Sequence, residues 1–255
     1  MDLGHQLGVA ASLLASQLRG WRGMAAYRPA SRQPEKLLEL YEYEDCPYCR
    51  LVREALTELD IDALIYPCPK GGKRFRPKVK EMGGKLLFPY LVDPNTGRKM
   101  YESADIVAYL RETYDDYKPA PGMLDRRIKV ATSTLASLVR ARHGWRARPS
   151  KAPAQPLELF SFEASPYSRL VRERLSEMEL PYVLRNTGKG HWKDLGPPIV
   201  RDKLHHSEKG TTRNRKVLAA RTGQVQLPYL IDPNTGKEMY ESAAILSYLE
   251  ETYGA

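Results

Sequence analysis

Cysteine is scarce: the chain has three, and two of them fall within one four-residue motif. That excludes a disulfide framework as the basis of the fold and favours a reducing compartment. Long apolar runs are also missing. No stretch approaches the roughly 20 consecutive apolar residues of a membrane span, and no Lys or Arg precedes the first apolar residues as a secretory leader requires. Acidic residues are outnumbered, 31 Asp and Glu against 40 Lys and Arg, for a net charge of +9. A field of that sign suits acidic partners or ligands. It does not point to nucleic acid, because the basic residues are spread over many segments with no nucleic-acid motif beside them. A composition of 42% hydrophobic and 28% charged residues is that of a soluble globular chain, with room for about two domains of ordinary size.

The stretch with the clearest chemistry is Glu44-Asp45-Cys46-Pro47-Tyr48-Cys49-Arg50. Before it, Leu38-Glu39-Leu40-Tyr41-Glu42-Tyr43 alternates as a half-buried strand does. After it, Leu51, Val52, Ala55, Leu56 and Leu59 recur at helical spacing, and Pro47 is placed for the first helical position. Cys46 then sits at a helix mouth, facing unpaired N–H groups and the positive end of the helix dipole, which favours the nucleophilic thiolate. Cys49 lies one turn inside, within reach of a disulfide with Cys46. A bare Cys-x-x-Cys could equally be half of a zinc site, but a four-ligand site needs a second pair and the remaining cysteine, Cys68, stands alone. Cys68, just past a second predicted strand over 60–66, could resolve a disulfide or serve as a small buried hydrophobe.

The chain repeats itself. Residues 38–54 return as 157–173, with Ser165-Pro166-Tyr167-Ser168 in place of the cysteine motif. Phe88-Pro89-Tyr90-Leu91-Val92-Asp93-Pro94-Asn95-Thr96-Gly97 returns as Leu227-Pro228-Tyr229-Leu230-Ile231-Asp232-Pro233-Asn234-Thr235-Gly236. Met100-Tyr101-Glu102-Ser103-Ala104 returns as Met239-Tyr240-Glu241-Ser242-Ala243. Matches this dense mean two copies of one fold. Each copy reads as strand, helix, strand, short helix (near 79–82 in the first), strand, turn, strand and final helix, the last capped by Ser103 in copy one.

On these motifs copy one resembles a glutaredoxin, or the N-terminal, glutathione-binding domain of glutathione transferases. Over roughly residues 37–255 the chain is similar to the tandem thioredoxin-fold proteins of plastids and bacteria. The resemblance implies an α/β fold of two tandem thioredoxin-like domains, 37–116 and 157–255. A helical, then Pro-rich linker over 117–156 joins them, and an amphipathic helical extension over 1–36 precedes them. It implies glutathione as cofactor and partner, with Cys46 and Cys49 catalytic. Tyr48, Phe88, Pro89, Glu102 and Ser103 form the glutathione-binding set, Pro89 as a cis-proline beside the ligand's cysteinyl portion and Glu102-Ser103 at its γ-glutamyl end. The bland alternatives are a trans-proline opening a strand and an ordinary capping serine. Lys70, Lys73, Arg74 and Arg76 could attract the glycyl carboxylate, or be solvated charges.

Copy two keeps the frame for a second site at Ser165, Tyr167, Leu227, Pro228, Glu241 and Ser242, but without thiols it cannot exchange disulfides. It is either a glutathione site or an inactive partner. It also carries a long polar loop over 186–212, a candidate lid or docking surface. His191 and His205-His206 lack an acidic or cysteine constellation, so no metal site is expected there. Leu3, Leu7, Ala10, Leu14, Leu18 and Trp21 form one stripe of the N-terminal helix, suited to a membrane surface, a partner or the protein's own body. Residues 19–32, Arg-rich and acid-poor, could belong to an organelle transit peptide, so a plastid stands beside the cytoplasm as a location.

A glutathione transferase appends a large all-helical domain, whereas here the linker offers one amphipathic helix through Leu124, Ile128, Ala131, Leu135 and Leu138. The expectation is therefore glutathione-dependent thiol–disulfide exchange at Cys46, acting on protein disulfides or glutathionylated proteins. The rivals are a glutathione-binding module without turnover, a transferase-like protein without the helical domain, and an iron–sulfur cluster bridging two Cys46 residues.

Overall fold

Strand β1 (Leu38–Glu42) is buried along almost its whole length, and its parallel partner β2 (Ala63–Pro67) is reached through helix α2 (Pro47–Glu58). The computed structural model describes residues 3–116, 123–191, 194 and 211–255. Helix α1 (Leu3–Leu18) comes first; after β2 follow α3 (Arg76–Gly83), β3 (Tyr90–Asp93), β4 (Arg98–Met100) and α4 (Ser103–Tyr114). Helix α5 (Met123–Val139) leads into the second half: β5 (Leu157–Ser161), α6 (Pro166–Glu177), β6 (Tyr182–Asn186), α7 (Arg213–Thr222), β7 (Tyr229–Asp232), β8 (Lys237–Tyr240) and α8 (Ser242–Tyr253).

Each half is thioredoxin-like, with strand order β4-β3-β1-β2 and its counterpart β8-β7-β5-β6. The halves do not sit apart. Strands β2 and β6 pair antiparallel, joining all eight strands into one sheet, and at the seam Leu64 faces its own repeat counterpart Val183. That self-pairing places a pseudo-twofold axis through the seam. One apolar core runs across it, from Leu38, Leu40, Val52 and Leu56 to Leu157, Leu159, Val171 and Leu175.

Several edges differ from the sequence expectation. Strand β2 begins three residues late, because Asp60 and Asp62 are engaged with Arg213, Arg185 and Asn214 of the second half. Ser103 is the first helical residue rather than the cap, since Glu102 holds the cap position at φ 67°. The stripe expected on α1 faces outward: Leu3, Leu7, Leu14 and Leu18 are exposed, and Ser12, Ala15 and Ser16 are buried instead. Helix α5 does the same, hiding Ser133, Ala136 and Ser137 and exposing Ile128, Leu135 and Leu138.

These two helices are themselves a repeat. Ser12-x-Leu14-Ala15-Ser16-x-x-Arg19 returns as Ser133-x-Leu135-Ala136-Ser137-x-x-Arg140. Helix α1 packs on α6 of the second half and α5 on α2 of the first, so each thioredoxin-like half is covered at its first helix by a copy of the same element. No helix among the described residues is long and apolar enough to cross a membrane.

Candidate functional site

The backbone turns after β1 so that the Cys46 N–H reaches the Tyr43 carbonyl at 3.1 Å, and Cys46 takes the extended N-cap conformation (φ −70°, ψ 117°) with Pro47 at the first helical position. Its Sγ accepts the Cys49 N–H at 3.2 Å. It stands 3.9 Å from the carbonyl oxygen of Phe88, whose bond to Pro89 is cis. The Tyr43 ring meets Phe88 edge-on, and the Arg76 guanidinium lies 4.9 Å over the Phe88 ring. Tyr48 stands at the rim, about half exposed.

Cys46 is only 2% exposed, yet its surroundings are polar on one side. Burial opposes the thiolate, but hydrogen bonds from the Cys49 side chain, the Cys49 N–H and the Tyr48 N–H outweigh it, so the thiol is held below its ordinary range. Cys49 goes the other way, pushed well up by burial and by its hydrogen bond to Cys46. The pair is therefore divided into one thiol that ionises readily and one that does not. Cys68, fully buried among Tyr41, Val79 and Tyr90, is likewise pushed well up by burial, and its surroundings are those of a small core hydrophobe. All three cysteines are free.

The last helix of each half opens in an unusual way. Glu102 and Glu241 hold φ of 67° and 69°, left-handed values that cost a non-glycine residue of order 1–3 kcal/mol and cluster at ligand clamps. Behind them Ser103 and Ser242 open α4 and α8, at helix N-termini suited to a carboxylate.

In the second half Ser165 repeats the Cys46 cap, accepting the Ser168 N–H at 3.3 Å and its hydroxyl at 2.8 Å. Leu227–Pro228 is also cis, and Tyr167 matches Tyr48 in exposure. Here, however, the corner is occupied by the chain itself: His5 Nε2 of α1 shares a hydrogen bond with Ser242 Oγ at 2.9 Å, and the Gln226 amide donates to Glu241.

Of the basic connection, Arg76 is the residue that reaches the site, through Phe88. Lys70 lies over the Trp145 ring, 4.7 Å from its centroid. Glu179 of the second half accepts the Lys73 and Arg74 N–H groups, each at 3.0 Å, and the Arg74 guanidinium donates to the Met178 and Glu179 carbonyls.

Beside the cysteine helix lies a feature the sequence reading missed. Arg19, Arg50, Arg53, Arg140, Arg169 and Arg172 are buried together with Glu42, Glu44, Glu54, Glu163 and Glu173. The pairing crosses the pseudo-twofold: Arg53 Nε donates to Glu163 at 2.8 Å, and Arg172 Nη2 donates to Glu44 at 3.1 Å. The bracing helices join in, Arg19 forking onto Glu54 and Arg140 onto Glu173. Burial pushes Glu42 up to about 7 against the opposing pull of Arg53, and Glu44 and Glu163 add to the rise. Burial also raises Asp45, immediately before Cys46, to about 7, with Arg50 opposing.

His205-His206 and most of the 186–212 loop lie outside the described residues. Among the described residues no cluster of His, Cys, Asp or Glu is arranged to hold a metal ion.

Against known proteins, the family described as glutathione S-transferase, N-terminal domain, matches twice, over residues 40–119 and 159–255. Among solved structures, a glutathione transferase of Bombyx mori is 22% identical, covering 38% of this chain and 44% of that one, with a TM-score of 0.32. A trimeric glutathione transferase of Leishmania is 12% identical, covering 84% of this chain and 66% of that one, with a TM-score of 0.28. The chain thus spans less than two thirds of the length of either. No curated protein matches it.

Proposed function

Since the chain belongs to the glutathione S-transferase N-terminal domain family, we propose that it is a glutathione-dependent thiol–disulfide oxidoreductase working through Cys46. The observation that carries this reading is the division of labour in the motif. Cys46 Sγ accepts the Cys49 N–H at the start of α2 and is held below its ordinary range, while Cys49 is pushed up. An acidic attacking thiol beside a reluctant second one is what stepwise exchange needs.

In the first step the Cys46 thiolate attacks the glutathionyl sulfur of a mixed disulfide. The new Cys46–glutathione disulfide forms as the old S–S bond breaks, and the substrate leaves as its thiolate. In the second step a glutathione thiolate attacks that adduct, giving oxidised glutathione and restoring the Cys46 thiolate. Alternatively Cys49, once deprotonated, displaces glutathione and closes the Cys46–Cys49 disulfide, which two further glutathione molecules reduce. Two electrons move in each cycle and no other oxidant or reductant enters.

Glutathione would lie with its cysteinyl portion along the Phe88 backbone and its γ-glutamyl end at Glu102 and Ser103, with Arg76 near by for an anionic group. Glutathionylated or disulfide-bonded proteins are the proposed substrates. In the second half the His5–Ser242 and Gln226–Glu241 contacts favour an inactive partner over a second glutathione site.

Reduction of hydroxyethyl disulfide with glutathione tests the assignment: turnover is expected from the intact chain and none from Cys46→Ser, and undiminished turnover by that variant would refute it. The near-complete burial of Cys46 favours one alternative, glutathione binding without turnover. Calorimetric binding of glutathione by a chain inactive in the assay selects that reading.

A further inference from the structure

The leucines of α1 point away from the body of the protein. Ser12, Ala15 and Ser16 line the side that packs inward, whereas Leu3 is 69% and Leu7 63% exposed. Helix α5 repeats the inversion, with Ile128 54%, Leu135 52% and Leu138 65% exposed. The two helices lie side by side and antiparallel. Arg19, just past the end of α1, reaches the Lys129 carbonyl early in α5; Arg140, just past the end of α5, reaches the Gly8 carbonyl early in α1. Both hide their small residues beneath, so their outward stripes form one apolar face across the pseudo-twofold. Soluble proteins rarely leave contiguous apolar surface of this kind without a partner.

Charge says which partner. Helix α1 contains no charged residue from Leu3 to Leu18. The charges gather at the two ends of the face: exposed Arg22, Arg126 and Arg127 at one, and at the other exposed Arg142, two residues past Arg140, with its guanidinium over the Trp145 ring. The acid there, Asp125, is bound to Lys129. We propose that this face docks on an anionic lipid surface. The leucine stripes of α1 and α5 enter the head-group boundary side by side, and the flanking arginines meet lipid phosphates. A second copy of the chain fits poorly, because it would set Arg22, Arg126, Arg127 and Arg142 against basic ends of their own kind in a protein of net charge +9. Nothing in this inference depends on glutathione or on Cys46.

Flotation of the full chain with vesicles tests it, using phosphatidylcholine alone or mixed with an equal part of phosphatidylglycerol. The chain should float with the mixed vesicles, not with phosphatidylcholine alone, and should be released by added salt. Leu14→Gln with Leu135→Gln places one polar group on each exposed stripe near the axis, and should weaken binding about tenfold per leucine. Circular dichroism and the melting temperature should stay those of the parent chain. Three results would each overturn the proposal: no flotation with either vesicle, binding unchanged in the double variant, or a concentration-dependent dimer by light scattering that the double variant abolishes. The last would assign the face to a second copy.

Discussion

Replacing Glu163 by Gln removes one negative charge from the middle of the buried network while keeping the shape of the side chain. Glu163 accepts Arg53 Nε at 2.8 Å and lies 3.0 Å from Arg172 Nη2, with Arg50 and Arg169 at 3.7 and 3.9 Å. Burial opposes its charge, but these four guanidinium groups hold the acid well below the ordinary carboxylate range. The glutamine keeps an acceptor oxygen but leaves four buried cations with less counter-charge. Removing one partner of a buried ion pair costs about 3–5 kcal/mol, and retaining an acceptor places this case near 3 kcal/mol. For a chain of this size that loss lowers the melting temperature by roughly 6–12 °C. Thermal and urea unfolding near neutral pH measure it. The pH dependence adds a sign. Because the folded-state value is depressed, the contribution of Glu163 is fully present above the unfolded carboxylate value of about 4.3 and fades as pH falls below it. The gap between parent and variant should therefore narrow in acid. A stability loss under about 1 kcal/mol near neutral pH would show that the network does not hold the halves together.

Asp45, raised to about 7, contributes stability that is complete below its unfolded value and is lost as pH rises through 7, so Asp45→Asn should stabilise the chain above that pH. The gain should be roughly 2 kcal/mol once solvent screening of a partly exposed group is allowed for, and urea unfolding on both sides of neutrality checks it. Titration calorimetry with glutathione should give one site per chain, because His5 and Gln226 occupy the second corner; His5→Ala is the variant in which a second, weaker site should emerge. Ser133 donates to the Pro47 carbonyl at 2.7 Å from the helix braced against the cysteine motif, so Ser133→Ala should cost about 1 kcal/mol of stability in a melt.

The strand–cysteine–helix unit was legible because each part carries its own period: β1 alternates, and Val52, Ala55 and Leu56 of α2 and Leu59 at its C-cap are buried, with Leu51 half-buried. The repeated FPYL/LPYL and YES motifs likewise marked both copies and the order of their last strands and helices. The packing of α1 and α5 was not legible by the usual rule that the apolar stripe faces in. Their serines and alanines sit beneath, and Ser16 and Ser133 hydrogen bond to backbone carbonyls at the helix mouths. The signal was present, however, in the return of Ser12-x-Leu14-Ala15-Ser16-x-x-Arg19 as Ser133-x-Leu135-Ala136-Ser137-x-x-Arg140. The charge network escaped for a related reason. Nothing in the spacing of Arg50, Arg53 and Glu54 signals burial; only the crossing of the second half, with Glu163 and Arg172 in the same network, buries them. Periodicity reports one element at a time and cannot show what a repeat counterpart brings to it.

The most direct test of the account is a titration of the Cys46 thiol in the intact reduced chain, followed by thiolate ultraviolet absorbance with Cys46→Ser as the blank. With Cys49 and Cys68 both pushed up, the account predicts a single step assigned to Cys46, below the usual free-cysteine value of about 8.5. A step at or above that value would contradict it, because the helix mouth would then not be holding the sulfur ionised.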